Sequence, residues 1–263
     1  MRRKQGGLLR LHAWLVYAFL YAPIAVLVLF SFNQTSQTAV WQGFTLEWYR
    51  LLMRDEVILA SVRNSLVAGL TTTVVATIVG TLAALALGRS EFRGKGLTRN
   101  LLYLPIIVPE IVIGAALVTF FGAARLRLSM LTVVIAHVVF SVSYVTIVVR
   151  ARLSGVDRSL EEAAQDLGAR PLSTFFRVTL PLILPGVAAG ALLVFTVSVD
   201  DYVITSFVAG VGSTTLPLQI YSMLKVGVTP EVNAVSTLLL AVTIVLILAA
   251  QRLQQPPPER GEG

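Results

Sequence analysis

Ser159 to Pro181 read SLEEAAQDLGARPLSTFFRVTLP, and this charged stretch separates two long apolar runs of the chain. Ser159 followed three residues later by Glu162 is typical of a capping box, in which hydroxyl and carboxylate each bond the backbone of the first turn. Gly168 lies where a left-handed residue would end such a helix. We therefore expect a two-turn helix from Ser159, then a second short helix that begins near Pro171 and is limited by Pro181.

The first of these helices carries one apolar stripe of small and medium side chains. Its members recur at the i, i+3, i+4, i+7 spacing of a helix face and are Leu160, Ala163, Ala164 and Leu167. Small side chains let the groove of another protein approach the backbone closely, which favours a partner-binding helix. The alternative is that the stripe packs on the chain's own spans and that Glu162 serves only as a cap.

The composition is that of an integral membrane protein. Of 263 residues, 56% are hydrophobic and 13% are charged, whereas soluble domains carry about 25% charged residues. No polar stretch is long enough for a separate soluble domain, so we expect one membrane domain over residues 1–263, with its core at 62–250. The proline-rich tail, residues 252–263, is predicted to be disordered. Cysteine is absent, which excludes disulfides and thiolate metal sites.

Six apolar runs are each long enough to cross a bilayer, which takes about 20 residues. They lie near Trp14–Phe32, Asn64–Gly88, Leu101–Phe121, Leu128–Val149, Leu182–Asp200 and Val232–Ala250. The sequence therefore predicts an all-α, polytopic membrane protein with six transmembrane helices.

Basic residues predict the orientation of these spans. Most of the 21 Lys and Arg residues fall on the side that holds both termini and the loop at residues 150–181. The positive-inside rule places that side in the cytoplasm. The first apolar run is longer than the core of a usual signal peptide, so we interpret it as an uncleaved span. The net charge of +7 is thus explained by membrane topology rather than by nucleic-acid binding.

Four ionisable residues fall within or at the ends of the predicted spans. Glu110 follows Pro109 about 14 Å into the third span, and His137 lies at a similar depth in the fourth. Asp200 and Asp201 close the fifth span near its outer end. Charge within a bilayer is costly and usually faces a cavity or a partner.

Two interpretations of these residues remain open. In the first, Asp200, Asp201 and Glu110 line a path for a cation, with carboxylates replacing the waters of ammonium groups. In the second, Glu110 and His137 form a buried pair that fixes helix packing, and the aspartates are solvated helix-end residues. Adjacent carboxylates at a helix C-terminus are unfavourable, which favours a cationic partner for the two aspartates.

The charged stretch also resembles a known family. Glu162-Ala163-Ala164, Gly168 and Val178-x-Leu180-Pro181 follow the spacing E-A-A-x3-G-x9-[IV]-x-L-P of ABC-type importer permeases, with Val178 where isoleucine is common. The resemblance implies the type I permease fold and identifies residues 150–181 as the docking loop for an ATPase subunit. It implies a docking set of Leu160, Glu162, Ala163, Ala164, Leu167, Gly168, Leu180 and Pro181.

A narrower resemblance lies downstream of the docking loop. Ser198 to Val208, Leu216 to Met223 and Gly227 to Ala234 resemble segments of spermidine/putrescine importer permeases. The match is dense from about residue 150 to 250, and before that it rests on span layout and on Leu104-Pro105-x3-Pro109-Glu110. It implies polyamine transport, with Glu110, Asp200, Asp201 and Tyr202 in the substrate path. Related permeases for ferric iron, opines or phosphonates share parts of these segments.

The chain lacks residues for chemistry of its own. No G-x4-G-K-[ST] phosphate loop is present, because Gly88, Gly94 and Lys95 have the wrong spacing and Gly96 replaces the hydroxyl. With two histidines and no cysteine, little material exists for a metal site. We expect a non-enzymatic subunit without catalytic residues, cofactor or metal, and ATP and Mg²⁺ bound by the partner ATPase.

The resemblance also implies a set of partners. They are two copies of the ATP-binding subunit, a second homologous permease, an extracytoplasmic substrate-binding protein and membrane lipid. We expect a multi-pass protein of the bacterial inner membrane with both termini in the cytoplasm. The rival from another class is a secondary transporter that needs no ATPase, whose usual sign is internal repetition. No convincing repeat is present.

Overall fold

The structure is a computed structural model that describes residues 2–35 and 40–254. Within those residues it is helical and contains no strand, apart from one isolated β-bridge between Asn33 and Phe44. Of the predicted disordered tail, residues 252–254 end the last helix, and the remainder lies outside the described residues.

The described helices follow one another through short connections. They are α1 (Arg2–Phe30), α2 (Glu47–Leu52), α3 (Glu56–Arg89), α4 (Lys95–Ile107), α5 (Glu110–Ala123), α6 (Met130–Ser154), α7 (Ser159–Asp166), α8 (Pro171–Thr174), α9 (Leu180–Asp200), α10 (Val203–Val208), α11 (Leu216–Val226) and α12 (Pro230–Gln254). A π-helical turn, Phe175–Thr179, joins α8 to α9.

Five stretches are long and apolar enough to cross a membrane, and a bent pair of helices supplies the sixth. The five are Arg10–Phe30, Glu56–Arg89, Met130–Ser154, Pro171–Asp200 and Pro230–Leu248. The prediction of six membrane spans and an all-α fold is therefore confirmed. Several spans exceed the predicted bounds, since α3 begins eight residues before Asn64.

The third predicted span is not one bent helix. α4 and α5 meet at an angle of 111°, with Val108 extended at φ −77° and ψ 132°. Proline disfavours a helical conformation in the residue before it and lacks the N–H that would continue the helix, so Pro109 separates the two helices. Pro105 lies inside α4 without ending it.

The second predicted short helix is not limited by Pro181. Helical geometry runs from Pro171 through the π-helical turn into α9, and Pro181 occupies the first turn of α9. A π-helical turn widens the helix by one residue, and this one lies directly before the proline whose ring and missing N–H would strain a regular helix.

The chain divides into two compact units, one from Met1–Leu59 with Gln219–Val242 and one from Ala60–Leu218 with Thr243–Gly263. In the first unit, the segment between α1 and α2 is fixed by polar and aromatic contacts. Trp48 Nε1 donates to the Asn33 carbonyl at 2.7 Å, and the hydroxyls of Ser31 and Tyr49 lie 2.7 Å apart.

The second unit is built around α6, which packs along α9 and against α3. Small residues permit these contacts, because a Cβ at Gly80 would lie 2.6 Å from Val145 Cβ and one at Gly88 would lie 2.6 Å from Leu153. Because Gly80 meets Val145 and Gly88, eight residues later, meets Leu153, also eight residues later, α3 and α6 run parallel. On α9, Gly186 meets Arg152 of α6. These small-residue faces therefore pack within the chain.

Candidate functional site: a docking loop and a buried polar cluster

The helix α7, named here the docking helix, begins differently from the prediction. Asp157 caps it, because the Asp157 Oδ1 atom accepts the Ser159 N–H at 2.9 Å. Ser159 is already the first helical residue, and the expected capping box between Ser159 and Glu162 is wrong. The carboxylate–amide hydrogen bond holds the pKa of Asp157 below its ordinary value.

The docking helix ends as predicted, at a left-handed Gly168 with φ +86°. Its N–H donates to the Gln165 carbonyl at 2.8 Å, and the Ala169 N–H donates to the Ala164 carbonyl at 3.0 Å. This pair of bonds is a Schellman motif, which satisfies the last carbonyls of the helix. A Cβ at Gly168 would meet no atom within 4 Å, so the glycine is required by conformation and not by space.

Glu161 anchors the docking helix to the spans. Its Oε1 atom lies 3.0 Å from Arg89 Nη2, at the end of α3, and accepts the Thr179 hydroxyl at 3.1 Å. Arg89 Nη2 also reaches the Val156 carbonyl at 3.4 Å. Both charged side chains are mostly buried, with 21% and 13% of their surface exposed. Sequence reasoning missed Glu161, since it assigned the functional carboxylate to Glu162.

Glu162 points to solvent, where it forms an i,i+4 ion pair with Arg158 at 3.3 Å. Both side chains are about two-thirds exposed, and such pairs contribute little to stability. The Glu162 carboxylate is therefore accessible to another protein.

The apolar residues of the docking loop divide into exposed and packed sets. The exposed set keeps about half or more of each side chain's surface uncovered by the described residues and consists of Leu160, Leu167, Leu172 and Phe176. In the predicted stripe, Ala163 is exposed and Ala164 is half-buried. Leu180 instead packs against the core cluster that contains Ile183, while Pro181 is exposed. The predicted docking set thus contains one residue, Leu180, whose contacts lie in the chain's own core.

A buried polar cluster lies at the other end of α9. His137 of α6 is fully buried, with Nδ1 2.6 Å from the Ser198 hydroxyl and Nε2 2.9 Å from the Thr205 hydroxyl. Its Nε2 atom also lies 3.2 Å from Asp201 Oδ2. The predicted pair of His137 with Glu110 is wrong, because Glu110 is exposed at the first residue of α5.

Asp201 ties the start of α10 into this cluster. Its Oδ2 atom accepts both the Thr205 N–H at 2.8 Å and the Thr205 hydroxyl at 2.7 Å, while Oδ1 accepts the Ile204 N–H at 3.4 Å. An aspartate that receives the free N–H groups at a helix start is a favourable cap. The partner that the structure gives Asp201 is therefore a histidine ring of the same chain.

The other predicted path residues are less constrained. Asp200, the last residue of α9, is exposed, and Tyr202 is half-buried. Neither Asp200 nor Glu110 forms a hydrogen bond or ion pair with any residue that the structure describes. The helix that begins at Glu110, α5, packs against α10, which follows Tyr202, since a Cβ at Gly114 of α5 would lie 2.5 Å from the Phe207 ring of α10. Among the described residues, no three His, Asp or Glu side chains converge as metal ligands.

Solved structures with a similar fold come from ABC transporters. A bacterial ABC transporter involved in import of the acidic polysaccharide alginate matches with a TM-score of 0.76 and 18% identity, covering 96% of each chain. The methionine transporter MetNI in an inward-facing conformation matches with a TM-score of 0.62 and 19% identity, over 80% of this chain and 97% of that one. These likenesses establish the fold.

Sequence relatives are closer. The spermidine/putrescine transport system permease protein PotC of Escherichia coli K12 is 40% identical over 94% of both chains. The putrescine transport system permease protein PotI of the same strain is 43% identical over 89% of this chain and 86% of its own. PotC of Haemophilus influenzae is 40% identical over 90% of this chain and 93% of its own. Residues 76–256 match the family described as binding-protein-dependent transport system inner membrane component. The chain therefore belongs to this family of inner membrane transport components.

Proposed function

We propose that this chain is the membrane-spanning permease subunit of an ATP-driven importer for polyamines such as spermidine and putrescine. The observation that carries the proposal is identity of 40% and 43% to PotC and PotI over about nine-tenths of the chain. The chain itself is non-enzymatic and takes no cofactor, and a separate ATPase subunit binds and hydrolyses ATP. Specificity for one polyamine resides largely in a binding protein.

The docking loop supports coupling to that ATPase. Leu160, Leu167 and Leu172 are exposed on the charged stretch between α6 and α9. Exposed apolar side chains that cluster in this way mark an interaction surface. Each leucine that a partner buries contributes about 1.5 to 3 kcal/mol. Glu162, exposed beside them, adds a carboxylate that a basic residue of the partner can bind.

Charge distribution supports an orientation with both termini and the docking helix in the cytoplasm. The loop at residues 150–181 contains Arg150, Arg152, Arg158, Arg170 and Arg177, and short basic loops stay on the cytoplasmic side. Asp200 and Asp201, at the far end of α9 from this loop, then lie toward the outer mouth.

The path for substrate is proposed along Glu110, Asp200, Asp201 and Tyr202. A polyamine carries several ammonium groups, which lose hydration on entering a membrane path, and carboxylates replace the lost water contacts. Asp200 and Glu110 are exposed and lack partners among the described residues, so both remain open to such a cation.

Transport then proceeds by alternating access. A binding protein delivers substrate to the outer mouth, two ATPase subunits close on ATP, and their movement reaches the spans through the docking helix. A second, homologous permease completes the path. Coupling requires the docking helix to bind the two states of the ATPase with different affinity.

Co-purification tests the coupling. A tagged chain co-expressed with the ATPase subunit of its importer is expected to retain that ATPase in stoichiometric amount. Changing Leu160 and Leu167 together to serine is expected to lower the affinity at least about 30-fold, as the loss of about 2 kcal/mol or more implies. Val211→Ser is the matched control, because Val211 is fully exposed in the loop after α10.

Reconstitution tests the substrate. Vesicles that hold the assembled complex are expected to accumulate labelled putrescine or spermidine only with ATP and the binding protein. Import by this chain alone, without an ATPase, would refute the coupling. Stimulation of ATP hydrolysis by neutral or anionic solutes, but not by polyamines, would refute the substrate.

A further inference from the structure

The two adjacent aspartates at the end of α9 have opposite environments. Asp201 is 5% exposed and accepts hydrogen bonds from Thr205 and Ile204, whereas Asp200 is exposed and has no hydrogen-bonding partner among the described residues. Two carboxylates that are neighbours in the sequence therefore cannot have the same role.

Hydrogen-bond donors and acceptors in the cluster fit one arrangement. The Thr205 hydroxyl has a single proton, which it donates to Asp201 Oδ2, so its contact with His137 requires Nε2 to carry a proton and donate it. Nδ1 is then free to accept from the Ser198 hydroxyl. Every polar group of the cluster is satisfied within the protein, which a buried polar cluster needs in order to be stable.

The cluster joins three helices across a break in the chain. Helical geometry stops at Asp201, whose ψ of 123° is extended, and resumes at Val203 in α10. His137 comes from α6, Ser198 from α9 and Thr205 from α10. A further hydrogen bond joins α6 to α10, because the Thr132 hydroxyl of α6 donates to the Val208 carbonyl of α10 at 2.8 Å. Both ends of α10 are therefore held against α6.

We propose that His137, Ser198, Asp201 and Thr205 form a latch that fastens α10 to α6, and that this latch presents Asp200 as the substrate-contacting carboxylate of the pair. Asp201 is a positioning residue, because binding a cation would take its carboxylate from the hydroxyl and N–H of Thr205 and leave these buried donors without their acceptor. The latch is independent of what is transported. The role of Asp200 rests on the proposed function.

Kinetics of reconstituted uptake separate the two roles. Asp200→Asn is expected to raise the KM for putrescine at least about tenfold, with Vmax within about twofold, since a charge-assisted contact is worth about 1.5 kcal/mol or more. Asp201→Asn is expected to lower Vmax with little change in KM. Equal increases in KM for both variants would overturn the division of roles.

Thr205 offers a matched pair of variants. Thr205→Val keeps the shape and loses the hydroxyl, whereas Thr205→Ser keeps the hydroxyl. We expect Thr205→Val to lower Vmax at least about fivefold and Thr205→Ser to stay near wild type, with both complexes assembled as judged by gel filtration. Hydrogen exchange of the α10 amides should accelerate only in Thr205→Val. Identical exchange and Vmax in the two variants would refute the latch.

Cysteine labelling gives a readout that needs no transport. The chain has no cysteine, so Asp200→Cys and Asp201→Cys can each be probed with a water-soluble methanethiosulfonate in the assembled complex. Asp200→Cys is expected to react at least about tenfold faster, and equal rates would contradict the latch. Protection of Asp200→Cys by putrescine supports the substrate contact. A wild-type complex that imports no polyamine would refute the proposed function. The cysteine labelling and hydrogen-exchange measurements would still test whether the latch exists, because they do not depend on transport.

Discussion

The guanidinium of Arg89 and the carboxylate of Glu161 meet at 3.0 Å, which joins the end of α3 to the docking helix. The docking helix is also continuous with α6 on one side and, through α8 and the π-helical turn, with α9 on the other. The ion pair is therefore the side-chain connection that ties the docking helix to a span from which it is remote in sequence.

Breaking this ion pair is expected to uncouple ATP hydrolysis from uptake. Glu161→Gln leaves the mostly buried Arg89 guanidinium without its carboxylate partner. The free energy of unfolding is expected to fall by about 1 to 3 kcal/mol, a value between those of exposed and buried ion pairs. Polyamine uptake per ATP hydrolysed should fall in reconstituted complexes. The reversed pair, Arg89→Glu with Glu161→Arg, should recover part of the loss.

Glu91→Gln is the control for this experiment. Glu91 pairs with Lys95 at 2.7 Å, but its side chain is 90% exposed and both residues lie between α3 and the start of α4. This variant should transport like the wild type. Equal coupling in Glu161→Gln and Glu91→Gln would show that the Arg89–Glu161 pair carries no movement to α3.

Gly168 is expected to tolerate asparagine but not valine. Its φ of +86° is readily adopted by glycine and sometimes by asparagine, while a β-branched residue there is strained by about 1 to 2 kcal/mol or more. Gly168→Val should abolish uptake with normal membrane insertion, and Gly168→Asn should retain most of it. A fully active Gly168→Val chain would count against the docking proposal, because the space around Gly168 is empty and only its conformation is at stake.

The stabilisation that Asp157 gives the start of the docking helix is expected to be lost as the pH falls. The Ser159 N–H holds the pKa of Asp157 below its ordinary value of 3.8. The folded state thus favours the ionised form, and the stabilisation is present above pH 3.8 and lost as the pH falls through the lowered pKa. Hydrogen exchange in the first turn of the docking helix should be faster in Asp157→Ala than in wild type at neutral pH, and this difference should vanish in acid.

Asp157→Asn serves as the comparison, since asparagine caps helices without titrating. Its exchange difference from Asp157→Ala should persist in acid. A wild-type chain whose first turn opens to the same extent as Asp157→Ala at neutral pH would show that the hydrogen bond to Ser159 contributes nothing.

Gly80 and Gly190 face the same valine at different distances and should respond differently to alanine. A Cβ at Gly80 would lie 2.6 Å from Val145 Cβ and 3.0 Å from the Val142 carbonyl, whereas one at Gly190 would lie 3.6 Å from the nearest atom. Gly80→Ala is expected to cost about 1 to 3 kcal/mol through overpacking, and Gly190→Ala is expected to be close to neutral. Thermal unfolding of the purified chain in detergent measures both, and equal midpoints would contradict the packing of α3 on α6.

Much of the fold was predictable because membrane spans depend on runs of apolar residues that single-sequence patterns show directly. The left-handed Gly168 and the first-turn Pro171 were predictable for a similar reason, since each depends on one residue's own backbone. The division of the third predicted span into two helices at Pro109 was not predicted. Proline identifies the position of an interruption, but the angle of 111° between α4 and α5 depends on what each half packs against.

The side-chain partners were not predictable, because they join residues far apart in the sequence. Glu161 and Glu162 are indistinguishable by composition, and only the position of Arg89 decides which of them is anchored. Asp157 and Ser159 both suit a helix cap, and the structure uses the earlier one. His137 has Asp201 as its partner rather than Glu110 because the chain breaks after α9 and returns α10 toward α6.

Val145 of α6 lies beneath the backbone of Gly80 on α3 and of Gly190 on α9. The glycines bring the backbones of α3 and α9 into van der Waals contact with α6, so the three helices form one stiff unit, called here the lever. On the proposed function, a push that an ATPase delivers at the docking helix would move α3, α6 and α9 together. Helical hydrogen bonding is interrupted beside this lever at Val108–Pro109, between α4 and α5, and at Asp201–Tyr202, after α9. Glu110 and Asp200 border these two interruptions, so the proposed cation contacts lie where the backbone can bend as the lever moves.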